Sequence, residues 1–589
     1  MMLAGLLGDR VCGFCLFPLG PQSSARSMVP KRIKASFLVV VLGASMMLGV
    51  AVGAWMPSDD DFFALRKNFR IFGAVYEELV TGYVKPVDPE HLMRVGIEAM
   101  LSELDPYTTF LDEADNASID IITEGRYGGV GLTVDRRRGE MTVISPVEGA
   151  SGEKQGIRAG DVITHVSGQA VAPLSMDDVQ TLLRGEPGTT VPVTVRRAGA
   201  SAPLEFTLTR EQIELDNVAY RGRVGDDADV GYVKLERFTR GAAGEVETAL
   251  RTLRDGEKLS GVVLDLRDNP GGLLSAAVAV SELFVPKGAT VVTTEGRLPQ
   301  SNNAYRSDRA PLLPQLPLVV LVNGHSASAS EIVAGAVQDH DRGVVLGTTT
   351  YGKGLVQAIR SLPHNTSLKM TTAQYHTPSG RSIQELDAAP VRDTTSTASA
   401  HRLSDTTTAH ATHETAHGRT VRDGDGLRPD VTVTAPTPGA LAQALKDRSA
   451  FFYYANHYAA SRDSLPPDFA VTDAILEDFQ DWLQAEDIRY TTDAETAVRR
   501  LKRQLSEATY EEVKGEVAVL REAVRAEKNE AFSTEAPALK RHLEREIRAR
   551  FATASAQTAA MLPRDEQVTA AVELLHEADR YEKILSPGE

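Results

Sequence analysis

The segment NGHSASASEIVAG, from Asn323 to Gly335, contains three serines that alternate with alanines and lead into a helical pattern. An apolar run, PLVVLV, precedes it, so Ser328 is expected where a buried strand gives way to a helix. At such a place free backbone N–H groups and the positive end of the helix can stabilise an oxyanion. Ser328-Ala-Ser-Glu331 is also the pattern of a capping box, in which the serine only caps the helix. Both interpretations of Ser328 stay open from this segment alone.

A serine nucleophile needs a base that takes its proton, and histidine is the usual choice. His325 lies on the same predicted turn as Ser328, with no obvious aspartate to orient it. Three further histidines of this region have no informative sequence context: His340, His364 and His376. The histidines therefore do not indicate a base for Ser328.

Lys353 is the more specific candidate for the base, because it stands between two glycines in TTTYGKGLVQ. A lysine can act as a base only if burial or neighbouring charge keeps its amine neutral. Gln357 would lie on the same face as Lys353 if the segment is helical, and it could hydrogen-bond the amine. The alternative is an ordinary solvated turn lysine.

A glycine turn, DLRDNPGG, ends the preceding apolar strand. Gly271 and Gly272 allow the backbone to approach a neighbour closely. One N–H group from this turn and the N–H group of Ala329 would make an oxyanion hole. The alternative is a plain strand-to-helix turn.

Several elements must position these residues, and together they predict a multidomain α+β protein. Helical spacing runs from Asp59 to Glu124, and short β-branched runs between turn signals follow it. One helix interrupts those strands, with Ser175 as N-cap and Gly185 as C-cap. Strands and helices then alternate as in an α/β core. The predicted parts are a leader (1–56, with a possible true start at 28), an N-terminal helical segment (57–125), a β-rich module (126–212), the α/β core (213–435) and a helical C-terminal region (436–589).

The leader contains an apolar stretch from Ala35 to Trp55 behind three basic residues. It is long enough to span a bilayer, and a cleaved signal peptide is the alternative. The sequence therefore predicts a cell-envelope protein on the periplasmic side, either anchored in the inner membrane or secreted. The C-x-x-C pair Cys12 and Cys15 is interpreted as non-functional. The net charge of −17 argues against nucleic acid as a partner.

A Thr-, Ala-, Ser- and His-rich insert runs from 385 to 423 inside the core. It is interpreted as a disordered surface loop, because no apolar residues anchor it. A metal site is the alternative that its histidines suggest: His401, His410, His413 and His417.

Six motifs in one order make the chain resemble the carboxyl-terminal processing peptidases, the tail-specific serine proteases. The motifs are DPYTTFL, GIRAGDVITHVSGQAV, LDLRDNPGG, SASASEI, YGKGLVQ and YHTPSGRSIQ, and the resemblance runs from Phe62 to Val433. It implies a serine endopeptidase with a Ser–Lys dyad, Ser328 and Lys353, assisted by Gln357. The oxyanion donors would be Gly271 or Gly272 and the amide of Ala329. The α/β core would resemble the crotonase fold, and no cofactor or metal is expected.

The resemblance also implies that the β-rich module is a PDZ domain. Its carboxylate-binding loop would be GGVGL, from Gly128 to Leu132, which includes Gly129, Val130 and Gly131. PDZ domains add a peptide strand to an exposed edge and hold its carboxylate on N–H groups. Arg184 matches a family arginine that couples the occupied PDZ domain to the active site. A helix C-terminal cation is the alternative for Arg184.

The expected partners are protein substrates with free apolar C-termini, the membrane through the N-terminal segment, and a second copy or an activating protein. The long insert and the long C-terminal region depart from the common family pattern. Two other functions stay open: a membrane-tethered PDZ adaptor whose protease core is inert, and an acyl-CoA enzyme of the crotonase type.

Overall fold

The structure is a computed structural model, and it describes residues 59–587 except 114–120, 122, 257, 385–410, 435–438, 463, 467–468, 487, 489–490 and 508–512. The leader with its apolar stretch and both cysteines lies outside the described residues, as do His401 and His410. Within the described ranges, no helix combines the length and the apolar character that crossing a membrane requires.

The chain divides into two compact units, one up to Gly96 and one from Ile97 onward. The first contains helix α1 (Asp59–Gly82) and most of helix α2 (Pro89–Leu101). The Tyr76 hydroxyl donates to the Pro89 carbonyl at 2.8 Å and ties the two helices together. Helix is thus observed where helical spacing predicts it.

The helical prediction is wrong for the end of this stretch. Residues Thr109–Leu111 form strand β1, which pairs antiparallel with a later strand, Ser367–His376. The run TTFL is β-branched and aromatic, and the partner strand offers a backbone edge that a local pattern does not show. The motif DPYTTFL therefore belongs to a sheet of the second unit.

The β-rich module is a sheet of the order β3-β4-β5-β7-β8, in which β6 pairs with β5, with a separate β2-β9 ladder. The Ser175 side chain caps the helix of this module in a capping box with Asp178, as predicted. Strand β3 is an edge of its sheet, so its outer backbone groups can receive a further strand. The elements are β2 (Arg126–Gly129), β3 (Leu132–Arg137), β4 (Glu140–Pro146), α3 (Ser151–Lys154), β5 (Val162–Val166), β6 (Gln169–Ala170), α4 (Met176–Leu183), β7 (Thr190–Arg196), β8 (Leu204–Thr209) and β9 (Glu211–Glu214).

The core contains a six-stranded sheet of the order β10-β11-β12-β15-β16-β21, parallel except for the β10-β11 pair. Alternate residues of its strands pack on opposite faces: Val320 and Val322 face one cluster, Val319 and Leu321 another. Both faces are covered, as a parallel sheet requires. The elements are β10 (Val218–Val224), β11 (Val230–Leu235), α5 (Ala242–Arg254), β12 (Gly261–Asp265), α6 (Leu274–Ser281), β15 (Leu318–Val322), α7 (Ala329–Asp339), β16 (Val344–Gly347) and β21 (Val431–Thr432).

A second core sheet joins β1 to strands that follow the glycine turn and Lys353. Its order is β1-β18-β13-β14, and β17 pairs with β18. Gln357 lies on β17, so the helical alternative for YGKGLVQ is wrong; LVQAIRS pairs with β18 along its whole length. The strands are β13 (Thr290–Glu295), β14 (Asn303–Arg306), β17 (Leu355–Ser361) and β18 (Ser367–His376), with a 3₁₀ turn at Pro299–Ser301.

The interpretation of the whole insert as a disordered loop is wrong for its last part. Strands β19 (Thr412–Glu414) and β20 (Thr420–Arg422) form a hairpin. The Arg419 guanidinium ties this hairpin to the core through Asp341 and Asp430, at 2.5 and 2.6 Å. Composition alone does not show such anchoring. Among the described residues, no group of His, Cys, Asp and Glu side chains could hold a metal ion.

The C-terminal helices form two groups. One encloses its own aromatic core, in which Tyr454 and Phe479 pack with ring centroids 5.0 Å apart. The last two helices instead cover the six-stranded sheet, where the Tyr581 hydroxyl is 2.9 Å from both the N and O atoms of Leu318. The helices are α8 (Ala440–Asp447), α9 (Ala450–Ala459), α10 (Asp473–Ala485), α11 (Asp493–Glu507), α12 (Lys514–Thr534), α13 (Ala536–Arg548), α14 (Ala554–Met561), a 3₁₀ turn (Leu562–Arg564), α15 (Glu566–His576) and α16 (Ala578–Leu585).

Candidate active site

Ser328 occupies the turn between strand β15 and helix α7, where its backbone is strained. Its φ is +53° and its ψ is −109°, a conformation that residues other than glycine rarely adopt. Such strain costs about 1–3 kcal/mol and occurs mainly where function requires it. A residue that only caps a helix needs no such backbone, because N-caps normally lie in the extended region.

Two buried side chains bring Lys353 next to Ser328. The Glu331 carboxylate, fully buried, accepts the N–H of Ser328 at 2.7 Å and the N–H of Lys353 at 3.0 Å on the same oxygen, Oε2. The Tyr375 hydroxyl lies within hydrogen-bond distance of both carbonyl oxygens, 3.0 Å from Ser328 O and 2.7 Å from Lys353 O. Ser328 and Lys353 are therefore neighbours in space, although 24 residues of chain separate them.

Further hydrogen bonds compensate the Glu331 carboxylate for its burial. Its other oxygen, Oε1, accepts the hydroxyl of Thr350 at 2.6 Å and the N–H of Gly352 at 2.7 Å. Burial raises the pKa of Glu331, although these hydrogen bonds favour the ionised form. The carboxylate thus works as a structural tie that joins the serine turn to the lysine loop.

The Lys353 side chain is half-buried against two partners. Its amine donates to Gln357 Oε1 at 3.1 Å and lies 4.6 Å from the centroid of the Tyr107 ring. The Gln357 side-chain amide in turn donates to the Tyr107 carbonyl at 2.7 Å. No hydrogen bond joins Lys353 Nζ to Ser328 Oγ in the described structure, a separation that is common before substrate binds.

The charge state of Lys353 depends on its surroundings. Burial lowers the pKa of Lys353 below its ordinary value, and the like charge of Lys369 lowers it further. Asp105 and Glu331 act in the opposite direction. A lysine with a lowered pKa has a larger neutral fraction, which a general base requires.

The glycine turn approaches the serine closely. A Cβ at Gly271 would lie 2.9 Å from Ala329 N and 3.0 Å from Ser328 Cβ, and the φ of Gly271 is +101°. The Gly271 N–H donates to Asn269 Oδ1 at 2.9 Å, whereas the N–H groups of Gly272 and Ala329 have no acceptor among the described residues. Gly272 and Ala329 are therefore the predicted donors whose N–H groups can still receive a substrate oxygen.

The histidines are placed differently. An aspartate does stand beside His325: its Nδ1 is 3.1 Å from Asp268 Oδ1, and both side chains are exposed. The expectation that His325 lacks an aspartate is therefore wrong, because Asp268 comes from the neighbouring glycine turn. His340 contacts the Thr290 carbonyl at 2.7 Å. In the part of the chain that is described, none of the four histidines bonds the Ser328 hydroxyl.

The β-rich module has a cleft of about 130 Å³ at the edge strand β3, between that strand and helix α4. The N–H groups of Val130 and Gly131 have no acceptor within the described ranges, and the φ of Gly131 is +68°. Adjacent free N–H groups can bind a carboxylate. The cleft is lined by Tyr127, Gly129, Val130, Gly131, Leu132, Thr133, Val134, Gln180, Leu183 and Arg184.

Arg184 lies at the C-terminal end of helix α4. Its guanidinium donates to Gln180 Oε1 at 3.2 Å and lies 5.7 Å from the centroid of the Tyr127 ring. These contacts stay inside the module and place Arg184 at its cleft. A coupling of Arg184 to the active site stays a prediction.

Sequence reasoning missed three residues of this site. The sequence patterns assign no role to Tyr107 or Tyr375, and they place Glu331 only in a capping box. The motifs DPYTTFL and YHTPSGRSIQ contain the two tyrosines and are the available signals. Their positions in the sequence are remote from Lys353, so only the folded chain shows what they contact.

Comparisons with known proteins find three family models that match parts of the chain. Residues 229–391 match the model of Peptidase family S41, residues 142–197 a PDZ domain, and residues 441–575 a probable PDZ-protease C-terminal helical domain. The chain is 37% identical over 329 residues to a carboxy-terminal-processing protease of Bartonella bacilliformis, covering 55% of this chain and 74% of the relative. It is 36% identical over 315 residues to a carboxyl-terminal-processing protease of Synechocystis, covering 52% and 72%.

Among solved structures, a photosystem II D1 C-terminal processing protease has 30% sequence identity and a TM-score of 0.34, over 63% of this chain and 88% of that one. The fold and the sequence matches together define a serine-type peptidase with a PDZ domain and a C-terminal helical domain. The chain belongs to the carboxyl-terminal processing peptidases of family S41. The predicted multidomain α+β class is confirmed. The relatives give no support to the inert adaptor.

Proposed function

We propose that the protein hydrolyses peptide bonds near the C-termini of protein substrates, with Ser328 as nucleophile and Lys353 as general base. The observation that carries this proposal is the shared hydrogen bonding of the two residues to Glu331 Oε2. It holds a strained serine beside a half-buried lysine. Burial and Lys369 lower the pKa of that lysine.

The reaction follows from these positions. Ser328 Oγ attacks the scissile carbonyl carbon while Lys353 Nζ takes the hydroxyl proton, and the N–H groups of Ala329 and Gly272 receive the oxyanion. The Lys353 ammonium then gives its proton to the leaving amine as the C–N bond breaks. Water attacks the acyl-enzyme, Lys353 takes a proton from it, and the ester bond to Ser328 breaks as Oγ is reprotonated.

Substrate recognition is proposed for the PDZ cleft. A substrate C-terminus would add a strand along β3, with its carboxylate on the N–H groups of Val130 and Gly131. Arg184 would transmit this occupancy to the active site. An exported location remains a proposal from the sequence of the leader alone.

The experiment is intact-mass analysis of the purified full chain with an unfolded substrate that ends in apolar residues. We expect cleavage by wild type and by Lys287→Met, an exposed-lysine control. Ser328→Ala and Lys353→Met should cleave roughly a hundredfold to ten-thousandfold more slowly. Both should still bind the free-acid peptide, measured by fluorescence anisotropy, and bind its C-terminal amide weakly. Undiminished cleavage by either variant would exclude the dyad.

A further inference from the structure

The segment around Tyr107 contacts the Lys353 side chain. In the sequence, this segment precedes the PDZ domain and lies outside the protease core. We propose that Tyr107 is a positioning residue for Lys353: its ring covers the amine and its carbonyl anchors Gln357. The inference rests on the proposed role of Lys353 as the base. It adds a residue about 250 positions away in sequence, to which neither the sequence motifs nor the family matches assign a role.

The ring of Tyr107 makes the first contact. The Lys353 amine lies 4.6 Å from the ring centroid, within the range of a cation–π interaction. Burial raises the pKa of Tyr107, and the neighbouring Tyr351 phenol raises it further. The phenol therefore stays neutral, and its ring carries no charge that would trap the ammonium.

The carbonyl of Tyr107 makes the second contact, through Gln357. The Gln357 amide donates to Tyr107 O at 2.7 Å, so its Oε1 is turned toward Lys353 Nζ at 3.1 Å. The amide orientation is thus fixed by a backbone acceptor. Lys353 is held by an oxygen on one side and an aromatic ring on another.

The turn that carries Tyr107 is itself fixed. The Asp105 carboxylate accepts the N–H groups of Tyr107 and Thr108, each at 2.9 Å, and the Thr108 hydroxyl at 2.8 Å. Burial raises the pKa of Asp105, but these hydrogen bonds outweigh it and lower the pKa overall. The Thr108 hydroxyl also accepts the N–H of Thr371, and β1 continues the pairing with β18. Tyr107 is therefore presented by a rigid turn.

The charged groups that face Lys353 come from three other elements. They are Lys369 on β18, Asp105 on the turn and Glu331 on α7. Lys369 disfavours the ammonium, and the two carboxylates favour it. The Tyr107 ring also favours the ammonium, because the face of an aromatic ring attracts a cation. Leucine is apolar and keeps the amine covered, so replacing the ring by leucine removes only this attraction and should lower the pKa of Lys353.

The variants separate the ring from the hydroxyl. Tyr107→Leu removes the ring, whereas Tyr107→Phe and Tyr351→Phe each remove only a phenol hydroxyl. Tyr220→Leu is the control, since Tyr220 is a partly buried tyrosine of the other core sheet. Thermal unfolding and PDZ peptide binding of each variant establish that it is folded.

The first readout does not need activity. Each substitution is made in the Ser328→Ala protein with ¹³Cε-labelled lysine, and the Lys353 signal is identified by its loss in Lys353→Met. Titration by NMR then gives the pKa of Lys353 directly. We expect Tyr107→Leu to lower this pKa by about 0.5 to 1 unit, as expected for loss of a cation–π contact. We expect no change in the pKa of Lys353 from Tyr107→Phe, Tyr351→Phe or Tyr220→Leu.

The second readout is the pH dependence of peptide cleavage by variants that retain Ser328. Tyr107→Leu should move the acid limb of kcat/KM to lower pH and reduce kcat roughly ten- to hundredfold, with little change in KM. An unchanged or raised Lys353 pKa in Tyr107→Leu would overturn the inference, and so would an equal fall in Tyr107→Phe. If Tyr107→Leu lowers the pKa of Lys353 but does not shift the acid limb of kcat/KM, the result supports the contact between Tyr107 and Lys353 and rejects Lys353 as the base.

Discussion

At the scale of single residues, the site depends on a lysine whose charge state is balanced by opposing effects. Burial and Lys369 lower the pKa of Lys353, whereas Asp105 and Glu331 raise it. A base must be neutral, so the balance has to favour the amine at the working pH. Glu331 belongs to the same balance and also holds the backbone of Ser328 and Lys353 in place.

The sign of this balance gives a pH prediction. We expect kcat/KM for peptide cleavage to rise with pH and to level off above the pKa of Lys353, below the ordinary lysine value of about 10.4. Lys369→Met removes a like charge, which raises the pKa of Lys353 and moves the rise to higher pH. Lys287→Met, on the surface of the core, is the matched control.

The same measurement includes Lys353→Arg. Its guanidinium stays protonated, so we expect a loss of roughly a hundredfold to ten-thousandfold in kcat. The assignment of Lys353 as the base would be contradicted if kcat/KM rose at the same pH in Lys369→Met as in wild type. Activity of the Lys353→Arg variant would contradict it as well.

At the scale of elements, the turn between β15 and α7 carries the strain of the site. The sequence pattern of a capping box predicts helix α7 correctly but does not predict a φ of +53° at Ser328. The glycine turn packs against this residue, and Gly271 leaves no space for a side chain next to Ala329 N. The local pattern of helix α7 does not show this contact.

This strain predicts an asymmetry between two inactive variants. Ser328→Gly should be more stable than Ser328→Ala by about 1 kcal/mol, because glycine adopts this backbone without strain. The free energy of unfolding in urea measures the difference. The matched pair is Ser330→Gly and Ser330→Ala, inside helix α7, where glycine should be the less stable residue by about 1 kcal/mol. Equal stabilities of the two Ser328 variants would argue against backbone strain.

At the scale of the whole molecule, the C-terminal helices connect the PDZ domain to the core. Two arginines of the β3–β4 hairpin pack on aromatic rings of helix α9: Arg137 is 4.4 Å from the Phe452 ring centroid and Arg138 is 4.0 Å from that of Tyr453. Arg550 also lies 4.4 Å from the Phe452 ring. Burial and the neighbouring charge of Arg137 lower the pKa of Arg550 to about 10, although Glu546 opposes this shift.

The other end of the helical region is attached to the core sheet. Arg267, next to the glycine turn, contacts Asp565 at 2.9 Å and Gln567 at 2.8 Å. His576 contacts Asp229 at 3.0 Å. The helical region therefore acts as a brace between the PDZ domain and the strand ends next to the glycine turn.

The brace gives a prediction about dynamics. Arg137→Ala/Arg138→Ala removes two cation–π contacts of about 0.5–1 kcal/mol each, so amides of helix α9 should exchange roughly tenfold faster. Exchange in β12 and β15 should not change. Hydrogen–deuterium exchange with mass spectrometry measures both. Arg196→Ala is the control, since Arg196 pairs with Glu140 on the same module. Equal exchange in the double variant and the control would show that these contacts do not hold the helix.

Local sequence patterns are sufficient to predict most secondary-structure elements and the family. Hydrophobic alternation and turn residues predict the helices and most strands, and six motifs in order identify a peptidase with a PDZ domain. Ser328 and Lys353 are predicted as site residues because the serine stands at a strand end and the lysine between two glycines. Such signals are local, so they can be recognised without knowledge of the fold.

The surroundings of those residues depend on the folded chain. The strand at Thr109–Leu111, the strand that carries Gln357 and the ordered end of the insert all depend on partners far along the chain. Tyr107 reaches Lys353 for the same reason. Long-range pairing satisfies backbone groups and buries side chains that a local pattern cannot assign to a partner, and the pKa of Lys353 depends on that burial.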